Sequence, residues 1–260
     1  MKRLFAIMLL CLTITCCFTG CLIKDLLERD FNDEYFCYRI IDEDNVAVGS
    51  LSSYPESGVV FFPEKVRNYT VSKLGFSTGF GFGGNGYLGW VTAPDGIVMK
   101  RYYFPHTIKE VWYDYMRLLS GRALKIFYCG ETINIGDLST GDKAKMYVPS
   151  EKYDLFENEL SEYLKGSLLK ANVCYFLNYE ENNYYYIDYY ENGEKIMYIP
   201  PEPQRDGYSF GGWFKESDCI NQWDFDTDTL QLTEEVQEVK LYAKWIAGEK
   251  LCNLKRNRLL

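Results

Sequence analysis

The residues best equipped for chemistry form three groupings. Cys129 and His106 are the thiol and imidazole that could share nucleophilic catalysis, the imidazole taking the thiol's proton. His106 is the single histidine of the 260-residue chain, so multi-histidine zinc sites and most imidazole relays are excluded. Because it directly follows Pro105, turn geometry explains it better than catalysis. Gly81-Phe82-Gly83-Gly84-Asn85-Gly86 satisfies the glycine spacing of a dinucleotide loop. Such a loop must open a helix, and here Tyr87 to Val91 and then Pro94-Asp95-Gly96 follow; a Gly-aromatic loop is the better reading. Asp224, Asp226, Asp228 and Glu235 stand at positions 1, 3, 5 and 12 of a calcium loop, but Thr229 occupies the position where the sharp turn needs glycine. They read as a solvated acidic turn. The sequence therefore predicts no catalytic residues, no metal site and no cofactor.

Elsewhere the informative residues are those of targeting and packing. Met1-Lys2-Arg3 precedes an uncharged run from Leu4 to Ile23, which is an export signal with its basic end held inside. Twenty such residues could also span a bilayer, so an uncleaved helix and an ordinary signal peptide stay open beside lipidation. Phe18-Thr19-Gly20-Cys21 resembles the lipobox of bacterial lipoproteins, with Phe18 in place of the usual Leu. That resemblance implies removal of residues 1–20 and lipidation of Cys21, which would anchor the body to the membrane on its outer side. Residues 21–34 read as a tether. The mature chain would carry a net charge of −11, with an acidity that repels phosphate backbones, so nucleic acid is not an expected partner. Its cysteines 37, 129, 174, 219 and 252 contain no CxxC pair. They read as buried thiols, with one disulfide also open to an exported protein.

With 23 Tyr, 16 Phe and 5 Trp, the chain has the material for packed cores. Residues 35–51 alternate around Asp42-Glu43-Asp44-Asn45 as a β-hairpin. A phrase then recurs, ending in Pro or Cys: Val59-Val60-Phe61-Phe62-Pro63, Arg101-Tyr102-Tyr103-Phe104-Pro105, Lys125-Ile126-Phe127-Tyr128-Cys129 and Lys145-Met146-Tyr147-Val148-Pro149. Without the Gly-rich insertion of residues 75–96, the stops recur every 20 to 24 residues, the period of short coils. These phrases resemble bacterial surface leucine-rich repeats of the treponemal type, over about residues 36–150. A helix over 151–165, capped by Ser150 and stopped by Gly166, would close the array, with Tyr153, Phe156, Leu160 and Leu164 on one face. The leucine-rich-repeat-like domain then covers 35–166.

From Ala171 the pattern changes to strands at 173–179, 184–190 and 195–199, the last two joined by a tight Asn192-Gly193 turn. Gly207-Tyr208-Ser209-Phe210-Gly211-Gly212-Trp213, Trp223-Asp224-Phe225 and Leu241-Tyr242-Ala243-Lys244-Trp245 follow. Together these phrases resemble the internalin-type B repeat, or Listeria-Bacteroides repeat. The resemblance implies a small β-grasp, ubiquitin-like domain at 171–246 in a bacterial cell-surface protein, before a tail of residues 247–260. Its structural motif residues are Gly207, Tyr208, Phe210, Gly212, Trp213, Leu241, Tyr242 and Trp245. Trp213, Tyr242 and Trp245 are expected to fill its core, and Trp213→Ala to unfold it while the preceding domain keeps its own transition.

The fold class is α+β, mainly β. The leading expectation is a lipid-anchored, outward-facing, non-enzymatic adhesion or partner-binding module with a protein or glycan ligand. A structural spacer or envelope scaffold is the alternative, and a glycan-acting envelope enzyme a third reading that lacks paired carboxylates. The exposure of Tyr184, Tyr185, Tyr186, Tyr189 and Tyr190 separates the first two, because an exposed aromatic patch favours binding and burial favours a scaffold.

Overall fold

The computed structural model describes residues 30–51, 53, 55–76, 99–112, 123–132, 144–159, 166–179 and 184–248. Strands dominate. The recurring phrases become β4 (Val59–Phe61), β7 (Met99–Phe104), β9 (Ala123–Tyr128) and β10 (Lys145–Val148), and β11 (Leu168–Lys170) adds a fifth strand. These strands pair in sequence order and all in parallel. Equivalent residues of each phrase therefore stack, Phe61 on Tyr103 on Phe127 on Tyr147, with ring centroids 4.2, 4.6 and 4.8 Å apart.

A second sheet was not anticipated. The expected hairpin forms as β2 (Phe36–Ile40) and β3 (Asn45–Leu51), preceded by β1 (Asp30–Asn32). Behind it run β5 (Lys65–Val66), β6 (Tyr69–Leu74) and β8 (Glu110–Val111), with β3, β6 and β8 parallel. The chain thus alternates between two sheets and winds as a flattened coil. Its interior holds Val46, Val48, Val71 and Leu74 from one sheet, facing Val60, Phe62, Tyr102, Phe104, Ile126, Tyr128, Met146 and Val148 from the other.

The helix at the end of the coil starts differently than its sequence suggests. A 3-10 turn at Ser150–Lys152 leads into α1 (Tyr153–Glu159), and no side chain caps it. Ser150 Oγ instead donates to Ala171 O at 3.3 Å, because Pro149 already occupies the cap position. Phe156 enters the coil interior edge-on to Tyr128. Leu160 and Leu164 lie outside the described residues, as does the Gly-rich insertion apart from Gly75 and Phe76.

The C-terminal sheet contains β12 (Val173–Phe176), β13 (Tyr184–Asp188), β14 (Tyr208–Phe214) and β15 (Val239–Ala247), in the order β13-β12-β15-β14. Its central pair, β12 and β15, is parallel, and each outer strand is antiparallel to its neighbour. The expected strand at 195–199 does not form. Gly193 does turn with a positive φ of 83°, but its N–H and the Glu194 carbonyl pair with Leu230. The N–H groups of Met197 and Tyr198 go to the Tyr190 hydroxyl, which removes them from any ladder with β13.

Candidate functional site

The coil passes into the C-terminal sheet across one peptide bond. Ala171 N donates to Val148 O of the coil, and Asn172 N donates to Asp188 O of the C-terminal sheet. The buried Asn172 side chain then donates to Tyr190 O at 2.7 Å and accepts from Tyr190 N at 3.1 Å, fixing the start of β12. With no linker, β13 is laid against the outer face of the parallel sheet. A single buried cluster contains Tyr103, Phe127 and Tyr147 from the coil together with Tyr184, Tyr185, Tyr186, Ile187 and Tyr190.

Polar groups enter this junction in pairs. Asp188 is fully buried and ion-paired with Arg101, accepts from Tyr103 Oη at 2.8 Å, and accepts from Tyr189 N at 2.7 Å. Arg101 also donates to Tyr103 Oη at 3.0 Å and lies over the rings of Phe127, Tyr190 and Tyr198. Burial pushes the Asp188 carboxyl up to about 6, while Arg101 and the Tyr103 hydrogen bond pull it back. Tyr186 Oη donates to Phe62 O at 2.6 Å, tying β13 to the end of the first phrase. Lys125, one step along from Arg101, lies 5.6 Å from each of the Tyr147 and Tyr189 rings; burial, then Arg101, lowers its pKa.

Asp188 and Arg101 were missed in the sequence. The available signal was one carboxylate inside the run Tyr184-Tyr185-Tyr186-Ile187-Asp188-Tyr189-Tyr190, a residue type costly to bury without a cation. Of the tyrosines named as a possible exposed patch, 184, 185, 186 and 190 are buried, and Tyr189 is half-buried against Tyr147.

The remaining candidates separate clearly. Cys129 is fully buried, its thiol donating to Phe104 O at 3.0 Å and its pKa pushed up to about 12 by burial, so it stays protonated at neutral pH. In the acidic turn, Asp224 accepts from Asp226 N and Asp228 accepts from Asp224 N, each at 2.9 Å, while Lys215 pairs with Asp228. Glu235 belongs to a different turn, closed on Thr233. Cys21 and the glycine loop at 81–86 lie outside the described residues. Cys37, Cys129, Cys174 and Cys219 are free thiols.

The motif residues of the C-terminal sheet take distinct roles. Trp213 and Leu241 are buried, with Trp213 edge-on to Tyr175. Gly212 sits at a break in the β14–β15 register with φ 103°, where an added Cβ would come within 2.7 Å of Gln222 Nε2. Gly207 turns the chain into β14 with φ 78°. Trp245 pairs across the ladder with Phe210 and donates Nε1–H to Leu177 O at 2.5 Å.

Residues 175–244 match the Listeria-Bacteroides repeat domain. The C-terminal sheet is therefore the body of that repeat, with β12 entering it two residues before the match begins. Two relatives come from Evansella cellulosilytica. One, named "Putative Gly-rich membrane protein", is 27% identical over 95 residues, which is 36% of this chain and 10% of the relative. The other, named "Putative membrane protein", is 35% identical over 46 residues, 18% of this chain and 6% of the relative. The chain thus spans a tenth or less of these relatives' length. Among the described residues no helix is long and apolar enough to cross a membrane.

One expectation within the repeat domain differs from the structure. Tyr242 does not fill the core: Leu241 and Ala243 on either side of it point inward, so it stacks on Phe176 on the opposite face. Tyr208 is 41% exposed, because β14 begins beyond the part of the sheet that the core covers.

Proposed function

We propose that the protein is an outward-facing bacterial envelope protein, lipid-anchored at Cys21, that acts as a rigid non-enzymatic scaffold holding its repeat domain away from the membrane. The observation that carries this reading is the burial of Tyr184, Tyr185, Tyr186 and Tyr190. The aromatics that could have formed a binding face are spent joining the repeat to the coil, and the adjacent Asp188 is locked to Arg101. The repeat domain and the names of the two relatives support an envelope location. We read the coil as a degenerate leucine-rich-repeat-like array, for which the in-order parallel strands speak. The repeat is read as a β-grasp, for which its central parallel pair speaks. Cys129, a buried protonated thiol, gives no support to a nucleophile.

Two measurements test the proposal. Cys21→Ala should leave an unprocessed precursor without acyl label, and normal maturation with unchanged labelling would remove the anchor from it. Spin labels at exposed Lys65 of the coil and Asp218 of the repeat should give one narrow distance distribution that Asp188→Ala broadens. A distribution already broad in the unsubstituted protein would remove the rigid scaffold.

A further inference from the structure

Tension along the chain would enter and leave the repeat domain through two adjacent strands. The coil passes into β12 across one peptide bond, so a pull from the coil side reaches Asn172 directly. The described chain leaves the domain at the far end of β15, at Gly248. β12 and β15 are parallel neighbours, paired from Val173↔Val239 to Phe176↔Tyr242. A pull on the start of one and the end of the other therefore runs along the strands in opposite directions. All the bonds between them are then strained together, whereas a pull on the two strand starts opens them one after another.

Several features oppose the sliding of β15. It is a central strand, held by β12 over residues 239–242 and by β14 over residues 242–247, so it cannot peel from an edge. Further bonds prolong its grip on β12 at both ends. Val239 N donates to Asn172 O at 2.8 Å, Asn178 Nδ2 donates to Ala243 O at 3.2 Å, and Trp245 Nε1 donates to Leu177 O. Asn178 holds a positive φ of 58° and also donates to Ser217 O at 2.8 Å, which ties the same lock to the loop after β14. Side chains interlock on both faces, with Leu241 buried opposite Tyr175 and Tyr242 stacked on Phe176 at 5.4 Å.

We propose that the repeat domain is a shear clamp, which stays folded and keeps the body connected to its membrane anchor when the chain beyond β15 is pulled. The proposal rests on the scaffold reading and adds the direction in which that scaffold is strong. Forced unfolding is governed by the barrier to rupture, and that barrier depends on the path of the pull. Rigidity alone does not require this arrangement. Had the first and last strands of the domain met antiparallel, the loaded ends would lie side by side and tension would unzip the pair.

The test is single-molecule force spectroscopy on the full chain, with azide-bearing residues as attachment points. Attachment at the exposed positions of Lys170 and Ala247 loads β12 and β15 in shear. Attachment at the exposed positions of Lys170 and Gln237 pulls the same two strands apart from their starts. At one pulling speed, rupture at a severalfold higher force is expected in the first geometry. Asn178→Gly keeps the positive φ and removes both side-chain bonds, and Trp245→Phe removes the indole N–H. Each should lower the shear force and leave the unzipping force unchanged. Equal forces in the two geometries, or variants that lower both forces alike, would each overturn the proposal. Such a result would leave the scaffold standing if the spin-label distribution were still narrow, so the two readings fail separately.

Discussion

The interior and the outer face of the coil are made from the same four phrases, yet they are chemically different places. Residues 60, 62, 102, 104, 126, 128, 146 and 148 point inward into an apolar cluster. The residues between them, 61, 101, 103, 125, 127 and 147, point outward and build an aromatic stack edged by Arg101 and Lys125. One face is closed by the coil's own second sheet; the other is closed by β13, which brings Asp188 with it. The difference teaches that a period of two assigns side chains to faces, while the partner covering each face decides whether charge is tolerated there.

The strongest challenge to this comparison is Trp213→Ala. Truncating so large a buried aromatic should cost about 3 to 5 kcal/mol. The shared cluster at the junction leads us to expect one calorimetric transition, displaced as a whole, in place of the independent coil transition that the sequence suggested. Two transitions, with that of the coil unmoved, would make the junction a weak contact.

Asp188→Ala probes the polar side of the comparison. Leaving Arg101 half-buried without its carboxylate should cost roughly 3 kcal/mol, as buried pairs do when one partner is removed. The same carboxyl makes a pH prediction. Its folded pKa of about 6 lies above its unfolded value, so its contribution is fully present below the unfolded pKa and is lost as pH rises through about 6. The stability of the unsubstituted protein relative to Asp188→Asn should therefore fall between pH 4 and pH 7 in denaturant titrations. A flat difference would mean that Arg101 and Tyr103 offset the burial completely.

Smaller effects sharpen the picture. Tyr186→Phe removes the hydrogen bond to Phe62 O and should cost about 1 kcal/mol in chemical denaturation. Arg39→Ala breaks a bidentate pair with Asp30 at the half-exposed rim of the coil, and should cost below about 1 kcal/mol. A loss at Arg39 as large as that at Asp188 would erase the distinction between rim and junction.

The phrases ending in Pro or Cys, the hairpin turn at 42–45 and the repeat motif at 207–213 and 241–245 were legible because each is local. Alternation, turn residues and glycines act within a few positions of the chain. What only the tertiary structure decided was what each face met. The second sheet of the coil depends on β3, β6 and β8 pairing in parallel across long separations. Residues 195–199 have strand-like composition, but their N–H groups were taken by the Tyr190 hydroxyl and no ladder remained for them. The tyrosine run could equally have been a binding face or a buried seam. Its pattern is the same in both cases, and the outcome followed from Asp188 finding Arg101, 87 residues away, at a place where burying a carboxylate required a cation.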